Sequence, residues 1–228
     1  MTIRSNNILI TICYRSLLLL ILINSRNLHG GAFELGMSSL NDGDFAEAFC
    51  LWRPLAMQGH VEAAYHLGWL YANGNGLRVD IDKAVYWWKR SAAQGHNEAM
   101  FALALAYTNG KGIKKNHQEA FKWYRTAAER GHADAREIIK SKLLKPEKVL
   151  INQLKTVLQS DWLSERRVVE ADVVNLRAGP GREHPVVKRI EAGARLFIID
   201  RKEKWLLAVD PEDLSQAWIA DWLTTRTE

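Results

Sequence analysis

The residue types best suited to covalent chemistry in this chain are cysteine, of which there are two, and histidine, of which there are seven. Cys50 is followed by His60 and His66, which are the types found in a thiol nucleophile with its general base. A cysteine hydrolase also needs an oxyanion site and a substrate cleft, and no segment remains to build them. We therefore predict no catalytic site. We expect Cys50 to be an unreactive thiol that is partly packed and partly exposed, with an intermolecular disulfide as the alternative.

Three histidines recur at a fixed step and raise the question of a metal site. His60, His96 and His132 are spaced 36 residues apart. Zinc ligands lie about 2 Å from the metal, whereas packed helices are about 8–10 Å apart. One equivalent histidine per helical layer cannot converge on one ion, so the sequence predicts no metal and helix boundaries at these positions instead.

Closely spaced glycines suggest a phosphate loop but do not match one. The segment N-G-K-G (109–112) lacks the order G-x-x-x-x-G-K-[ST] and a preceding strand. Its lysines are those of a solvated loop. We predict no nucleotide and no other cofactor.

The charge of the chain is unevenly distributed. Its 228 residues carry 31 Lys+Arg and 26 Asp+Glu, a formal net charge of +5. Residues 1–30 contain Arg4, Arg15 and Arg26 and no acidic residue, so the rest of the chain is close to neutral. The surplus therefore gives no reason to expect a nucleic-acid partner. Two cysteines are too few for a disulfide-stapled mini-protein.

Residues 1–30 have the pattern of a secretory signal peptide. A basic start precedes the apolar run L-L-L-L-I-L-I (17–23) and a polar exit. The run is far shorter than the roughly 20 residues that span a bilayer. We predict export to the periplasm or beyond, with cleavage between residues 26 and 32 and no stable transmembrane segment in the mature chain. The alternative is a short buried helix.

Sequence self-similarity at a step of 36 residues predicts a helical solenoid. Several residue types besides the histidines repeat in one register, among them Leu67, Tyr71, Gly74 and Gly76 with Leu103, Tyr107, Gly110 and Gly112. Small and aromatic residues at helical spacing predict two helices per unit. Asp80 and Asn116 have the side chains of N-caps for the second helices, and the glycine pairs end the first ones. Residues 33–60 are expected to supply a complete second helix after a degenerate first one.

These repeats resemble Sel1-like repeats, which are related to tetratricopeptide repeats. The resemblance rests on A-A-Y-H-L-G-W-L-Y-A-N-G-N-G-L-R-V-D-I-D-K-A-V-Y-W-W-K-R-S-A-A-Q-G-H (63–96) and covers residues 33–140. It implies an α-helical solenoid that binds a protein partner and has no catalytic activity. Ligand contacts are expected where the copies differ, at first-helix positions that either bind a ligand or pack on the neighbouring repeat: Tyr65, His66, Trp69, Phe101 and Leu105.

A linker and a small β domain are predicted after the repeats. An apolar stripe at Val149, Leu150, Leu154, Val157 and Leu158 predicts a helix that caps the solenoid or, alternatively, lies on a membrane surface. Residues 141–166 are assigned to this cap and linker. From residue 167 to 228, short β-branched runs between glycine and proline turns predict five or six strands in a small barrel.

The segment V-V-N-L-R-A-G-P-G (173–181) resembles the signature of bacterial SH3-like domains, with Gly193, Trp205 and W-I-A-D-W-L (218–223) as further landmarks. The likeness implies binding of cell-wall peptide or of a partner protein. Asn175 and Arg177, followed by a loop with Glu183, either contact that ligand or brace the loop. Trp205 and Trp218 either form the floor of a groove or belong to the core. An insertion at 210–216 replaces the usual tight hairpin.

The sequence thus predicts a multidomain chain, a Sel1-like α-solenoid followed by an SH3-like β-barrel. The predicted function is that of an exported, non-catalytic adaptor in the bacterial cell envelope. Its repeats would bind a protein or peptide partner, and its barrel would bind peptidoglycan or a second partner. The alternative is a targeting or regulatory subunit of a cell-wall enzyme or a secretion assembly.

Overall fold

The computed structural model describes residues 28–227, which divide into two compact units with the boundary between Trp123 and Tyr124. The predicted signal peptide lies outside the described residues up to residue 27, and the first helix begins at Leu28. Within the described part of the chain, no helix combines the length and apolarity needed to cross a bilayer.

The first unit is built from consecutive helices joined by short loops. They are α1 (Leu28–Asn41), α2 (Phe45–Met57), α3 (Val61–Asn73), α4 (Ile81–Ala92), α5 (Asn97–Asn109) and the start of α6 (His117–Glu129). Each of α1 to α4 packs against the next helix along the chain. Small residues at the contacts, such as Ala63, Ala64 and Ala84, are almost completely buried and let neighbouring helices approach closely.

The predicted helix starts and stops are confirmed. The carboxylate of Asp80 accepts a hydrogen bond from the backbone N–H of Lys83 at 3.0 Å, and Asn116 Oδ1 accepts from Gln118 and Glu119 at 3.1 Å. Helix α3 ends at Gly74, whose φ of 73° is left-handed and strains any residue with a Cβ. The sequence therefore carries its own helix boundaries in each copy.

Helices α1 and α2 form a repeat of the same design, with a complete first helix where the sequence predicted a degenerate one. A Cβ added to Gly36 would lie 2.3 Å from Nε1 of Trp52, and a Cβ added to Gly68 would lie 2.4 Å from Nε1 of Trp88. In both pairs an indole of the second helix packs directly on a glycine of the first. The α1–α2 turn is shorter than the α3–α4 loop, so the repeat step before α3 is not 36 residues.

Helices also begin the second unit. The end of α6 is followed by α7 (Ala133–Leu144), a 3-10 turn (Lys148–Leu150) and α8 (Ile151–Val157). The predicted stripe is buried at Leu150, Leu154, Val157 and Leu158, whereas Val149 is 52% exposed. Gln216 Nε2 donates to the carbonyl of Leu143, and Lys155 Nζ donates to the carbonyl of Glu212. These helices therefore pack in one unit with the strands that follow.

Seven antiparallel strands form the domain that we call the β domain, residues 165–227. They are β1 (Glu165–Val169), β2 (Val173–Arg177), β3 (Val186–Glu191), β4 (Arg195–Lys202), β5 (Trp205–Val209), β6 (Gln216–Ala220) and β7 (Thr224–Arg226). Their order is β3-β2-β6-β5-β4-β1-β7. Alternate residues of six strands, including Leu176, Ile198, Leu206 and Ile219, form one core. The predicted fold class, helical repeats followed by a small antiparallel β domain, is confirmed.

Strand β1 begins at Glu165, inside the segment where the sequence predicted a connector. Its charged side chains are paired: Arg167 Nε lies 2.7 Å from Glu165 Oε1, and Arg167 Nη1 lies 3.0 Å from Oδ1 of Asp221. Arg201 bonds the other oxygen of Asp221 at 2.7 Å. Because these ion pairs replace the apolar residues typical of a strand, the sequence predicted the end of β1 at Val168 and Val169 but not its start.

The predicted insertion at 210–216 is an ordered loop between β5 and β6. Leu214 adopts a left-handed φ of 61° and is almost completely buried. Lys188 of β3 binds Asp210 at 2.7 Å and Asp213 at 3.2 Å. Hydrogen bonds from Ser215, aided by Lys188, lower the pKa of Asp213 to about 2. The loop therefore contributes to the packing of the β domain.

Candidate functional site

Each repeat histidine caps a helix, which confirms the prediction that these residues mark helix boundaries. The Nδ1 atoms of His60, His96 and His132 accept hydrogen bonds from the third residues of the following helices, Ala63, Ala99 and Ala135, at 3.3, 3.1 and 3.4 Å. Because Nδ1 accepts a hydrogen bond in each ring, the ring proton lies on Nε2. The Nε2 of His96 lies 2.7 Å from Oε2 of Glu62 and donates to it.

The predicted binding residues on α3 take part in ring stacking that links successive repeats. Tyr65 stacks on His96 with centroids 4.6 Å apart, and Phe33 stacks on His60 at 4.9 Å. The two pairs are equivalent, because each joins a first-helix aromatic to the cap of the next repeat. Burial, followed by the charges of Glu98 and Glu62, raises the pKa of Tyr65.

His66, on the same helix as Tyr65, is held between an aromatic ring of α2 and one of α3. It stacks on Trp52 at 4.7 Å and contacts Tyr65 edge-on at 5.1 Å. Burial lowers the pKa of His66, the nearby Glu62 carboxylate opposes that shift, and His96 adds to it. The neutral imidazole is therefore the form that this aromatic stack accommodates.

The remaining predicted residues of the repeats are less enclosed. Trp69 is half-buried against Phe45, with centroids 6.5 Å apart. Phe101 is half-buried, and Leu105 is 38% exposed. The packing alternative thus holds for Tyr65 and His66. A ligand-binding role for the five residues stays a prediction.

A cleft that the sequence did not reveal opens between α2, the α3–α4 loop and the start of α4. Its volume is about 910 Å³. Three cations lie in its wall, Arg53, Arg78 and Lys83, and the full lining is Phe49, Arg53, Tyr71, Leu77, Arg78, Val79, Asp80, Ile81, Asp82 and Lys83. One step of 36 residues later, Lys89 and Lys114 stand where Arg53 and Arg78 stand. This recurrence of positive charge is the sequence signal from which the cleft could have been predicted.

In the β domain, Arg177 braces the loop between β2 and β3. Its Nη1 donates to the carbonyl oxygens of Arg182 at 3.0 Å and of His184 at 2.6 Å. Asn175 on β2 and Glu183 in the loop are exposed. Of the two roles that the sequence left open for Arg177, loop bracing is present in the structure, and ligand contact stays a prediction.

The predicted tryptophans of the β domain are partly accessible. Trp205 and Trp218 are both half-buried, on β5 and β6. Trp205 contacts Trp222 edge-on at 6.1 Å, and Trp222 is 53% exposed. Trp222 belongs to the landmark W-I-A-D-W-L (218–223) and lies just after β6. Its exposure depends on the turn that follows β6. An aromatic pair with one open ring is a surface suited to apolar or sugar ligands.

Cys50 differs from its predicted state. It is 8% exposed and lies in the helical core cluster with Phe49 and Trp52, so the expectation of a partly exposed residue is wrong. Cys13, the other cysteine of the sequence, lies outside the described residues. Within residues 28–227, no three histidine, cysteine, aspartate or glutamate side chains lie close enough together to hold a metal ion.

Comparison with known families identifies both modules. The Sel1 repeat family matches residues 61–96 and 97–132, and the bacterial SH3 domain family matches residues 170–224. Residues 61–132 are therefore Sel1 repeats, and residues 170–224 are a bacterial SH3 domain. Both resemblances predicted from the sequence are confirmed.

Solved structures resemble the helical part. A Sel1 repeat protein from Oxalobacter formigenes is 28% identical, with a TM-score of 0.50, over 56% of this chain and 53% of that one. A protective antigen of uropathogenic Escherichia coli with an SLR fold is also 28% identical, with a TM-score of 0.49, over 57% of this chain and 30% of that one. The chain thus matches about half of the first structure.

A short curated match concerns a cell-wall protein. Two Staphylococcus epidermidis proteins named "Probable cell wall amidase LytH" are 39% identical over 49 residues. The match covers 22% of this chain and 17% of the amidase. It therefore concerns a small part of either protein.

Proposed function

We propose that this protein is an exported, non-catalytic adaptor of the bacterial cell envelope. The observation that carries the proposal is the presence in one chain of two binding modules, Sel1 repeats at 61–132 and a bacterial SH3 domain at 170–224. In this role the repeats bind a protein partner, and the β domain binds a cell-wall peptide or a second partner.

The β domain is the module to test against the cell wall. The open ring of Trp222 beside Trp205 supports a surface that packs on a peptide or sugar ligand. The full-length protein is incubated with purified peptidoglycan and sedimented, alongside Trp222→Ala and the control Leu144→Ala. Leu144 is a comparably exposed apolar residue of α7, at 48%.

We expect the wild type and the control to sediment with the peptidoglycan and Trp222→Ala to bind on the order of tenfold more weakly. Absence of wild-type sedimentation would remove the cell-wall half of the proposal. Equal sedimentation of all three proteins would move the binding surface away from Trp222.

Export is proposed from the pattern of residues 1–30. A reporter enzyme that is active only outside the cytoplasm is fused after residue 32. We expect activity from this fusion and none from a matched fusion in which the apolar run 17–23 is replaced by polar residues. A fusion that remains cytoplasmic would contradict export.

The match to LytH favours a second candidate, a targeting or regulatory subunit of a cell-wall enzyme. Under this candidate the purified chain alone releases no soluble fragments from peptidoglycan but changes the rate of a cell-wall amidase added to it. Release of fragments by the chain alone would overturn its non-catalytic assignment.

A further inference from the structure

The cleft at the α3–α4 loop, whose volume is about 910 Å³, has the features of a binding site. We propose that it binds a peptide segment in which one carboxylate is flanked by apolar side chains. The carboxylate lies between Arg53 and Arg78, and an apolar side chain packs on Tyr71. The proposal rests on the proposed role of the repeats as a partner-binding module, and it names the chemistry of that partner.

The positive charge available to a ligand comes from the two arginines. Lys83 is paired with Asp80 at 2.7 Å and lies 5.4 Å from the ring centroid of Tyr71. Arg53 and Arg78 are exposed and make no ion pair with another residue of the described chain. Guanidinium groups bind carboxylates through paired N–H donors, so these two side chains favour a carboxylate ligand.

The walls of the cleft are fixed before a ligand arrives. Phe49 packs edge-on against Tyr71 at 5.7 Å, and the backbone N–H of Asp80 donates to the carbonyl of Tyr71 at 2.9 Å. The loop lies so close to the start of α2 that a Cβ on Gly76 would be 2.9 Å from the backbone nitrogen of Ala46. A preorganised wall reduces the entropy lost on binding.

Size and composition argue for a peptide rather than a small anion. Pockets of about 300–1,000 Å³ hold ligands of many atoms, and Phe49, Tyr71 and Val79 add an apolar surface to the charged one. Asp82 also lies in the lining and repels a run of acidic residues. The cleft therefore favours a single carboxylate with apolar neighbours.

The test uses the full-length protein and a fluorescein-labelled peptide with one glutamate between two leucines, acetylated and amidated at its ends. The control peptide has glutamine in place of the glutamate. Binding is followed by fluorescence anisotropy for the wild type, for the double variant Arg53→Gln/Arg78→Gln and for Lys111→Gln/Lys115→Gln. The last variant removes two exposed charges from the equivalent loop of the next repeat, and circular dichroism confirms that all three proteins are folded.

We expect the wild type and the Lys111/Lys115 variant to prefer the glutamate peptide over the glutamine peptide by about tenfold. The Arg53/Arg78 variant loses this preference. Raising the salt concentration weakens binding of the glutamate peptide to the wild type and leaves the glutamine peptide unaffected.

Equal binding of the two peptides by the wild type would overturn the proposal, and so would an unchanged preference in the Arg53/Arg78 variant. Inorganic phosphate that displaces the glutamate peptide at equal concentration would assign the site to small anions instead. Peptidoglycan sedimentation by the Arg53/Arg78 variant separates the two proposals, because a failed cleft leaves the cell-wall role of the β domain intact.

Discussion

In the repeats the helices are capped by residues adjacent to them in the sequence. The β domain, in contrast, is held together by side chains that are far apart in the chain. His96 caps the helix that follows it, and Gly74 ends the helix before it. In the β domain, Arg167 of β1 binds Asp221, which follows β6. The repeats thus depend on local signals that recur, and the β domain depends on a few long-range pairs.

This difference also affects the aromatic side chains. In the repeats Tyr65 and His66 stack on rings of neighbouring helices, and their exposure is limited by that packing. In the β domain one ring of the Trp205–Trp222 pair remains open. Aromatic residues therefore join layers in the first module and form part of an open surface in the second.

The largest expected effect follows from the close contact between Gly68 and Trp88. In Gly68→Ala the new Cβ would lie 2.4 Å from the indole nitrogen, so the indole or the helix must move. We expect a loss of about 2 kcal/mol in the free energy of unfolding of the repeats, after the gain in helix propensity is included. Urea denaturation followed by helical circular dichroism measures it.

The same substitution in the β domain provides the comparison. Gly193 has a left-handed φ of 82° and no atom within 4 Å of an added Cβ, so Gly193→Ala should cost about 1 kcal/mol. Combining Gly68→Ala with Trp88→Tyr gives the residue types of the next copy, Ala104 and Tyr124, and should restore part of the loss. A loss for Gly68→Ala no greater than that for Gly193→Ala would contradict the close contact.

Removal of a long-range partner tests the β domain. Arg167 is 13% exposed and binds both Glu165 and Asp221, so Arg167→Gln should lower the free energy of unfolding of this domain by about 1.5 kcal/mol. Arg201→Gln is the matched control, since its side chain is 46% exposed and binds the same Asp221. We expect it to cost about 0.5 kcal/mol. Equal losses would show that burial of Arg167 adds nothing.

A smaller effect is expected from a single histidine cap. His96→Ala removes the acceptor for the backbone N–H of Ala99 and should destabilise the repeats by about 1 kcal/mol. His96→Asn also loses the stack on Tyr65 but keeps a capping oxygen. Thermal unfolding should therefore rank the asparagine variant above the alanine variant, and the reverse order would contradict the capping role.

The smallest effect is a dependence of repeat stability on pH. Burial lowers the pKa of His66, so the unfolded chain binds a proton more readily than the folded one. The free energy of unfolding should thus fall as the pH drops from about 7.5 through the unfolded pKa of about 6.5. His66→Phe keeps an aromatic ring and should remove this part of the slope, whereas His184→Gln in the β domain should leave it unchanged. An identical slope in the His66 variant would contradict the prediction.

The sequence predicted most of the helical repeats because their signals are local and recur at one step. It missed the completeness of the first repeat for a specific reason. Gly36 and Gly68 are equivalent in the structure but are separated by fewer than 36 residues, since the α1–α2 turn is short. A search at one fixed step cannot detect a copy whose connecting loop has a different length.

Other features depend on distant residues and could not be predicted from local patterns. The start of β1 is set by the ion pairs of Arg167, and the cleft beside Tyr71 exists only because the α3–α4 loop packs on the start of α2. For Asn175, Arg177 and Trp205 the sequence identified the domain that carries them. The structure adds that Arg177 donates hydrogen bonds to loop carbonyls, whereas Asn175 is exposed.

The histidine caps have a consequence for how such a protein changes in length. Each 36-residue copy contains its own start, at a histidine, and its own stop, at a left-handed glycine, and repeats of this kind contact mainly their neighbours. A copy of residues 61–96 inserted after His96 would carry every signal that it needs to fold as one more layer. Copies can therefore be added to or removed from the repeat region as whole units, and the number of copies sets the length of the region that can contact a partner.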